Sequence, residues 1–365
     1  MSEINVVVGL SGGVDSSLSA YLLKKQGYNV SGISMAIYNR DIPNLIPSGN
    51  ACYGPEEKQD IKEIGRLGEK LGIKTYILDC AEDYKRLILS YFKEEYKAGR
   101  TPNPCIKCNE LMKFGLLLKK AQEEDIPFDY FATGHYARVE RDEATGRFLL
   151  KRAKDTKKDQ SYFLYRLKQE QLSKVIFPLG NYTKEEVRQM AREAGLEMAD
   201  KADSQDFYSG DYNDLLEFPP KKGLIMHING KVLGEHQGYW NFTIGQRKGL
   251  GIAYPTPLFV LDLDAHRNIV WVGGEEDTHQ NTCFVTDLNW IAFDKAPTEP
   301  FSCEAKHRSV TPPAKVTVYP ETDGEIKVVY EQPQKSFTAG QSLVLYRGDV
   351  VLGGGLICKK ALTHL

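Results

Sequence analysis

The stretch Gly9-Leu10-Ser11-Gly12-Gly13-Val14-Asp15-Ser16-Ser17 follows the apolar run INVVVGL and leads into SSLSAYLLKKQG, an amphipathic segment ending at Gly27. A strand, a glycine-rich turn and a helix in that order constrain the fold more than any other feature of the chain. Glycines let the backbone close around an anion, and the unpaired N–H groups of a helix N-terminus point toward it. No lysine follows the second glycine, so this is not the phosphate loop that ends in Lys-Ser/Thr, and the spacing of a dinucleotide fingerprint is also missing. The plain alternative is a glycine-rich turn that serves only the fold.

The same alternation continues. NVSGISMAIY reads as a second strand, and GPEEKQDIKEIGRLGEKLG as a second helix with Pro55 near its first turn and Gly72 at its end. KTYILDC is a third strand and YKRLILSYFKEEYKAG a third helix, followed by the helix ELMKFGLLLKKAQEE and the strand FDYFATG. Strands separated by helices predict an α/β fold, a parallel sheet with helices on both faces whose ligands lie at the carboxyl ends of the strands. From about residue 145 the pattern loosens. KKDQSYFLYRL and YTKEEVRQMAREAGL read as helices, and KADSQDFYSGDY as a polar loop. FPPKKG marks a boundary near residues 218–223, after which glycine-punctuated strand signals take over. A chain of 365 residues is long enough for two or three domains. The divisions expected are 1–217, a small mixed or β module over 218–281, and a β-barrel over 282–365.

The net charge of −2 gives no strongly basic balance, although a local basic face can bind phosphates on a near-neutral molecule. MSEINVVVGLSGG lacks the pattern of a signal peptide, and no apolar run approaches the roughly 18 residues of a membrane span. A cytoplasmic protein with no membrane partner is expected. Its seven cysteines, odd in number and irregularly spaced, are then mostly reduced and form no disulfide framework.

SGGVDS directly after a first strand resembles the signature of the PP-loop ATP pyrophosphatases. That resemblance implies that ATP and Mg2+ are bound by Gly9, Leu10, Ser11, Gly12, Gly13, Val14, Asp15 and Ser16, with Asp15 among the catalytic residues. TPNPCIKCN, ATGHYAR, KKDQSYFLYRL, NFTIGQRKGLGI and AGQS, in this order, resemble the tRNA-specific 2-thiouridylase family over essentially the whole chain. The implied reaction is ATP-dependent sulfur transfer to carbon 2 of the wobble uridine of tRNA through an adenylated base. The implied partners are tRNA and a sulfur donor, either sulfide or a persulfide carrier protein. Met35 and Gly134 match further ATP contacts, and Asn103 and Pro104 the stretch that meets the target base. His135, Lys158, Asp159, Gln160, Lys306, His307 and Gln341 match tRNA-contacting positions, and Cys108 matches the first of the family's two active-site cysteines. Two other readings keep the PP-loop scaffold: an amidotransferase or synthetase acting on a small metabolite, and a tRNA-binding homologue that has lost catalysis.

The chain departs from the family pattern at two places. Tyr208 stands where the second cysteine follows Asp203-Ser204-Gln205, and Cys105 replaces a residue that is often acidic. A tyrosine cannot carry a persulfide, so the usual pair of cysteines is incomplete at 208. Cys105 and Cys108, in the polar loop expected at Pro102-Asn103-Pro104, can then be packing residues, a persulfide and disulfide pair activated by the helix start just downstream, or two ligands of a 4Fe–4S cluster. The cluster needs a third cysteine, for which Cys52 after the second strand is preferred to Cys80 at the end of the third. Zinc would need a second ligand pair, and none is present. Tyr208 would stack on the flipped base or close its loop. Cys283, Cys303 and Cys358 read as core residues of the barrel.

Overall fold

The computed structural model describes residues 3–38, 51–201, 206–208 and 210–359, and it forms two compact units. The first comprises Met1–Ile88, Pro104–Tyr212 and Asp349–Val351; the second comprises Leu89–Asn103, Asn213–Gly348 and Leu352–Leu365.

The strands of the first unit are β1 (Asn5–Gly9), β2 (Asn29–Ala36), β3 (Ala51–Tyr53), β4 (Thr75–Asp79), β5 (Tyr130–Thr133), β6 (Ala137–Arg141), β7 (Phe148–Arg152), β8 (Val175–Ile176) and β9 (Asp206–Tyr208). Five of them make the expected parallel sheet, in the order β4-β2-β1-β5-β8. Val6, Val7 and Val8 are fully buried in succession, as a central strand covered on both faces requires. On one face Val6 and Val8 join Leu18 and Leu23 of helix α1 (Val14–Lys25), Ile64 and Leu67 of helix α2 (Glu57–Leu71), and Val187 of the helix Lys184–Glu193. On the other face Phe131 meets Phe114 edge-on at 5.3 Å between ring centroids. The chain leaves β1 for β2 on one side and later reaches β5 on the other. Gly9 therefore pairs with both Ile33 and Thr133. Such a switch point opens a crevice at the carboxyl ends of the strands.

Three segments differ from the expectation. KKDQSYFLYRL is not a helix; only a tight turn forms at Ser161–Phe163. The reason is local: the Asp159 carboxylate accepts from the Ser161 backbone N–H at 3.1 Å and from the Ala153 N–H at 3.2 Å, an alternative to helical pairing. Within the stretch read as a polar loop, Asp206–Tyr208 forms β9, paired in parallel with β3 through Ala51↔Asp206 and Tyr53↔Tyr208. Asp203, Ser204 and Gln205 lie outside the described residues. The β6/β7 hairpin, with Ala137 opposite Arg152, was not foreseen at all.

The second unit begins with the helix Ser90–Lys97. Its first sheet holds β10 (Gly223–His227), β11 (Val232–His236), β12 (Phe259–Asp264) and β13 (Ile269–Gly273) in the order β11-β10-β13-β12. The barrel strands are β14 (His279–Trp290), β15 (Phe301–Lys306), β16 (Ala314–Pro320), β17 (Ile326–Lys335), β18 (Ser342–Arg347) and β19 (Val350–Ile357). They run in the order β14-β17-β16-β15-β18-β19, and pairing of β19 with β14 closes the ring. Val316 and Val318 point inward while Lys315 and Tyr319 face water, the period-2 alternation of a strand with one buried face.

Candidate active site

The phosphate loop sits at the crevice. Gly13 caps α1 with no side chain bonded to the first turn, which leaves that turn's N–H groups aimed outward. The Ser16 hydroxyl accepts from the Ser11 N–H at 3.2 Å and donates to the Gly13 carbonyl at 3.2 Å, cross-linking the loop. Leu10 and Val14 are buried beneath it, so of the implied ATP contacts these two act through packing. Gly12 has φ of 71°, the left-handed region that favours glycine. Gly134, just after β5, lies so near the loop that a Cβ there would be 2.8 Å from backbone atoms of Asp15 and Ser16. Met35 lies at the carboxyl end of β2, in register with Leu78 of β4.

Two lysines that no motif flags reach this loop. Lys184 Nζ donates to both oxygens of Asp15 at 2.8 Å, and the Tyr136 hydroxyl donates to Asp15 Oδ1 at 2.9 Å. Lys201 Nζ donates to the Gly12 carbonyl at 3.2 Å, to Asp60 at 2.7 Å and to Glu63 at 2.6 Å, tying α2 to the loop.

The cysteine stretch is helical, not the polar loop expected from Pro-Asn-Pro. Pro104 opens the turn Pro104–Lys107, where proline's missing N–H is no loss. A wide helix with i→i+5 bonding follows over Cys108–Leu116 and passes into Leu117–Glu123. This helical run ends where the chain turns into β5, so its start, with both cysteines, lies toward the carboxyl ends of the sheet. Cys105 and Cys108 are half-buried and three residues apart, hence neighbours on the helix surface. Burial pushes the Cys108 thiol up to about 11, against the pull of the nearby Lys113 ammonium. Burial also raises Cys80 to about 11, but Cys80 is wholly enclosed. Cys108, Cys52 and Cys105 all lie within electrostatic reach of Lys113 and of the buried Tyr84 hydroxyl. Cys52 itself is exposed on β3. Among the described residues, no three His, Cys, Asp or Glu side chains are grouped so as to hold a metal ion. Asn109, also missed by sequence reasoning, donates from Nδ2 to the Phe163 carbonyl at 3.1 Å and ties this helix to the Lys158-Asp159-Gln160 segment.

Tyr208 is 2% exposed, with its ring 6.4 Å from Tyr53 and 6.3 Å from Phe207. Tyr53 stacks in turn on Tyr84 at 5.3 Å. The phenol is a packing residue of an aromatic cluster and offers no face to a base. In the second unit Cys283 is buried, and Cys303 and Cys358 are half-buried.

The positions matched to tRNA contacts differ in what they can offer. His135 is half-buried beside Phe114 and Phe177 and shares a 2.8 Å hydrogen bond with Thr133 Oγ1. Burial, reinforced by the Lys113 charge, holds its pKa down to about 3, so the ring is neutral at physiological pH. Lys158 is exposed. Asp159 is a buried anchor, its side chain 1% exposed and accepting also from Arg152 Nε and the Ser161 hydroxyl, each at 3.1 Å. Gln160 clamps Tyr136 by two hydrogen bonds of 2.9 Å. Gln341 Nε2 donates to the carbonyls of Thr101 at 3.0 Å and Pro102 at 2.9 Å, fixing the backbone just before Asn103 within the second unit. Lys306 and His307 are buried at the end of β15.

Family models match three consecutive segments: a tRNA methyl transferase HUP domain over residues 4–208, a tRNA methyl transferase PRC-barrel domain over 216–274, and an aminomethyltransferase beta-barrel domain over 267–357. The chain is 47% identical over 359 residues to the tRNA-specific 2-thiouridylase MnmA of Endomicrobium trichonymphae, covering 98% of this chain and 99% of that one. The chain belongs to the tRNA-specific 2-thiouridylase family. Its similarity to the 2-thiouridylases of Clostridioides difficile, 41% identical over 361 residues, and Acetivibrio thermocellus, 42% over 365 residues, also spans nearly the full length of each. As a 2-thiouridylase family member it has the expected architecture, a HUP domain followed by a PRC-barrel domain and a closed β-barrel. No helix among the described residues is long and apolar enough to cross a membrane.

Proposed function

We propose that this chain is an ATP-dependent tRNA-uridine 2-sulfurtransferase of the cytoplasm, with its chemistry in residues 1–217 and its sulfur carried on Cys108. The observation that carries the reading is the Cys105–Cys108 pair within one helical turn, in a chain that matches 2-thiouridylases end to end. ATP enters as its magnesium complex, and the loop Gly9–Ser16 holds its phosphates at the α1 N-terminus. The wobble uridine, taken out of its stack and met by Asn103 and Pro104, attacks the α-phosphorus through O2 and releases pyrophosphate. His135 and the segment carrying Lys158 and Gln160 line the tRNA path, with the exposed Lys157, Arg247 and Lys248 as phosphate partners. Asp159 supports that segment from within the first unit, and Gln341 fixes the backbone just before Asn103.

The terminal sulfur of a Cys108 persulfide then attacks carbon 2, and AMP departs with the oxygen. Cys105 attacks Cys108 Sγ, which frees 2-thiouridine and leaves a Cys105–Cys108 disulfide. Sulfide, attacking Cys108 Sγ of that disulfide, regenerates the Cys108 persulfide and the Cys105 thiolate with no external electrons. With a persulfide carrier protein as donor, a thiol reductant opens the disulfide first. The exposed Cys52 is the third thiol of this neighbourhood.

Full-length protein, tRNA and ATP test the scheme by thionucleoside analysis alongside pyrophosphate and AMP release. Cys108→Ala and Cys105→Ala should each keep tRNA-dependent pyrophosphate release and lose 2-thiouridine, and Cys108→Ala should also lose AMP release. Thiolation surviving in Cys108→Ala would overturn the site. Activity that is lost on removing iron and regained with it would overturn the persulfide. AMP release that follows ammonia or an amino acid instead of tRNA would overturn the substrate.

A further inference from the structure

The motif alone assigns Asp15 to magnesium and pyrophosphate, but the geometry of its carboxylate does not fit a metal ligand. Oδ1 accepts from the Tyr136 hydroxyl at 2.9 Å and from Lys184 Nζ at 2.8 Å, and Oδ2 accepts from the same ammonium at 2.8 Å. Among the described residues, Asp15 belongs to no group of three or more His, Cys, Asp or Glu side chains that could hold a metal ion. Resting on the reading that this loop takes ATP, we infer that Lys184 is the polyphosphate-binding cation of the site and that Asp15 is the residue that positions it.

Three observations converge on that assignment. First, SGGVDS has no lysine of its own, whereas the Lys-Ser/Thr phosphate loop places one on the β and γ phosphates. The fold brings an ammonium to the same neighbourhood from the first residue of the helix Lys184–Glu193. Second, Lys184 is only 8% exposed, and its ammonium lies 5.7 Å from the centre of the Tyr136 ring. Its backbone N–H is fixed as well, donating to Asp155 at 3.0 Å. The charge is thus held in one place. Third, Asp15 lies in the first turn of the 12-residue α1, so Lys184 sets a cation at the positive end of a helix. Like signs gathered at one point are stabilised by a polyanion. Lys201 is the informative contrast. It touches the same loop at the Gly12 carbonyl, but two carboxylates, Asp60 and Glu63, quench its charge, which makes it a strut.

The test uses full-length protein with Lys184→Met, Lys184→Arg, Asp15→Asn and the Asp15→Asn/Lys184→Met pair. Pyrophosphate binding is followed by calorimetry, and the KM for ATP by tRNA-dependent pyrophosphate release over a range of free Mg2+. Lys184→Met should weaken pyrophosphate binding and raise the KM for ATP at least tenfold, and Lys184→Arg should recover most of both. Asp15→Asn should lose only a few-fold, with its Mg2+ requirement unchanged. The double variant should match Lys184→Met and bind pyrophosphate about threefold more weakly than Asp15→Asn; because it strands no carboxylate, it carries the test if the single Met variant misfolds. Pyrophosphate binding within threefold of wild type in Lys184→Met would overturn the inference. So would a double variant equal to Asp15→Asn, or a tenfold rise in the Mg2+ requirement of Asp15→Asn. A wild-type protein that binds neither ATP nor pyrophosphate would instead remove the ATP reading on which the inference rests.

Discussion

Replacing Gly134 with alanine adds one methyl group at the tightest approach to the phosphate loop. The new Cβ would lie 2.8 Å from Asp15 C and from Ser16 N, and 2.9 Å from Asp15 Cβ. Ordinary contact begins at 3.4 Å, so the loop or the end of β5 must retreat by about 0.6 Å. The nearest atoms are backbone, and no flexible side-chain end can swing aside. Overpacking of this kind costs about 1–3 kcal/mol. At roughly 2–4 °C per kcal/mol, Tm should fall by a few to about 10 °C. The functional loss should be larger in proportion. Sites tolerate about 0.5 Å of displacement, and about 1 Å can cost 100-fold, so ATP affinity should drop at least tenfold, or about 1.4 kcal/mol. Calorimetric ATP titration and thermal unfolding measure the two effects. Gly65→Ala is the control: it lies inside α2 with nothing within 4 Å of its Cβ, and it should gain about 0.5–1 kcal/mol. A Gly134→Ala protein with wild-type Tm and ATP affinity would refute the packing argument.

The remaining expectations concern burial and charge. Asp159→Ala removes a buried acceptor of four hydrogen bonds and should cost about 3–5 kcal/mol in urea unfolding, while the folded variant keeps its tRNA affinity. Normal stability with weakened tRNA binding would reverse the role given to Asp159. Iodoacetamide should modify Cys108 about tenfold faster per pH unit between pH 7 and 9, because its thiol is pushed up to about 11; Cys80 should stay unmodified until the protein unfolds. Peptide mass spectrometry reads both rates, and a Cys108 rate flat with pH would contradict the burial argument. His135, held down to about 3 from an ordinary 6.5, binds fewer protons when folded than when unfolded. Its contribution to stability is therefore whole above pH 6.5 and lost as the pH falls toward 3. The urea midpoint should decline between pH 7 and 5, and His135→Asn should flatten that slope.

What was legible in the sequence was whatever depends on neighbours in the chain. β1, the loop and α1 could be read because an apolar run, a glycine turn and a helical period follow one another directly. The missing parts depend on partners far along the chain. Lys184 meets Asp15 across 169 residues and Lys201 meets Gly12 across 189, and neither lysine has a local pattern to mark it. β3 and β9 are three residues each and exist as strands only because they pair with one another. Two local readings also failed where a side chain or ring changed the backbone's options. Asp159 took the Ser161 N–H that a helix over KKDQSYFLYRL would have used. Pro104, read as part of a loop, sits where a helix accepts proline at its start.

Tyr208 stands where the family resemblance leads one to expect a second cysteine. Tyr208 fills space between Tyr53, Phe207 and the abutting Gly210, whose Cβ would come 2.5 Å from the Tyr208 hydroxyl. Tyr208→Cys should leave a cavity and cost about 3–5 kcal/mol, the loss measured when a large buried side chain becomes small. Position 208 is therefore committed to packing, and restoring the usual cysteine there should destabilise the first unit without improving thiolation. The thiol that resolves the Cys108 adduct has to come from elsewhere. In the proposed scheme that thiol is Cys105, three residues away on the same helix. Tyr208→Cys combined with Cys105→Ala separates the alternatives. Thiolation restored to wild-type level in that pair would show that position 208 can still serve the chemistry and that the aromatic cluster does not bar it.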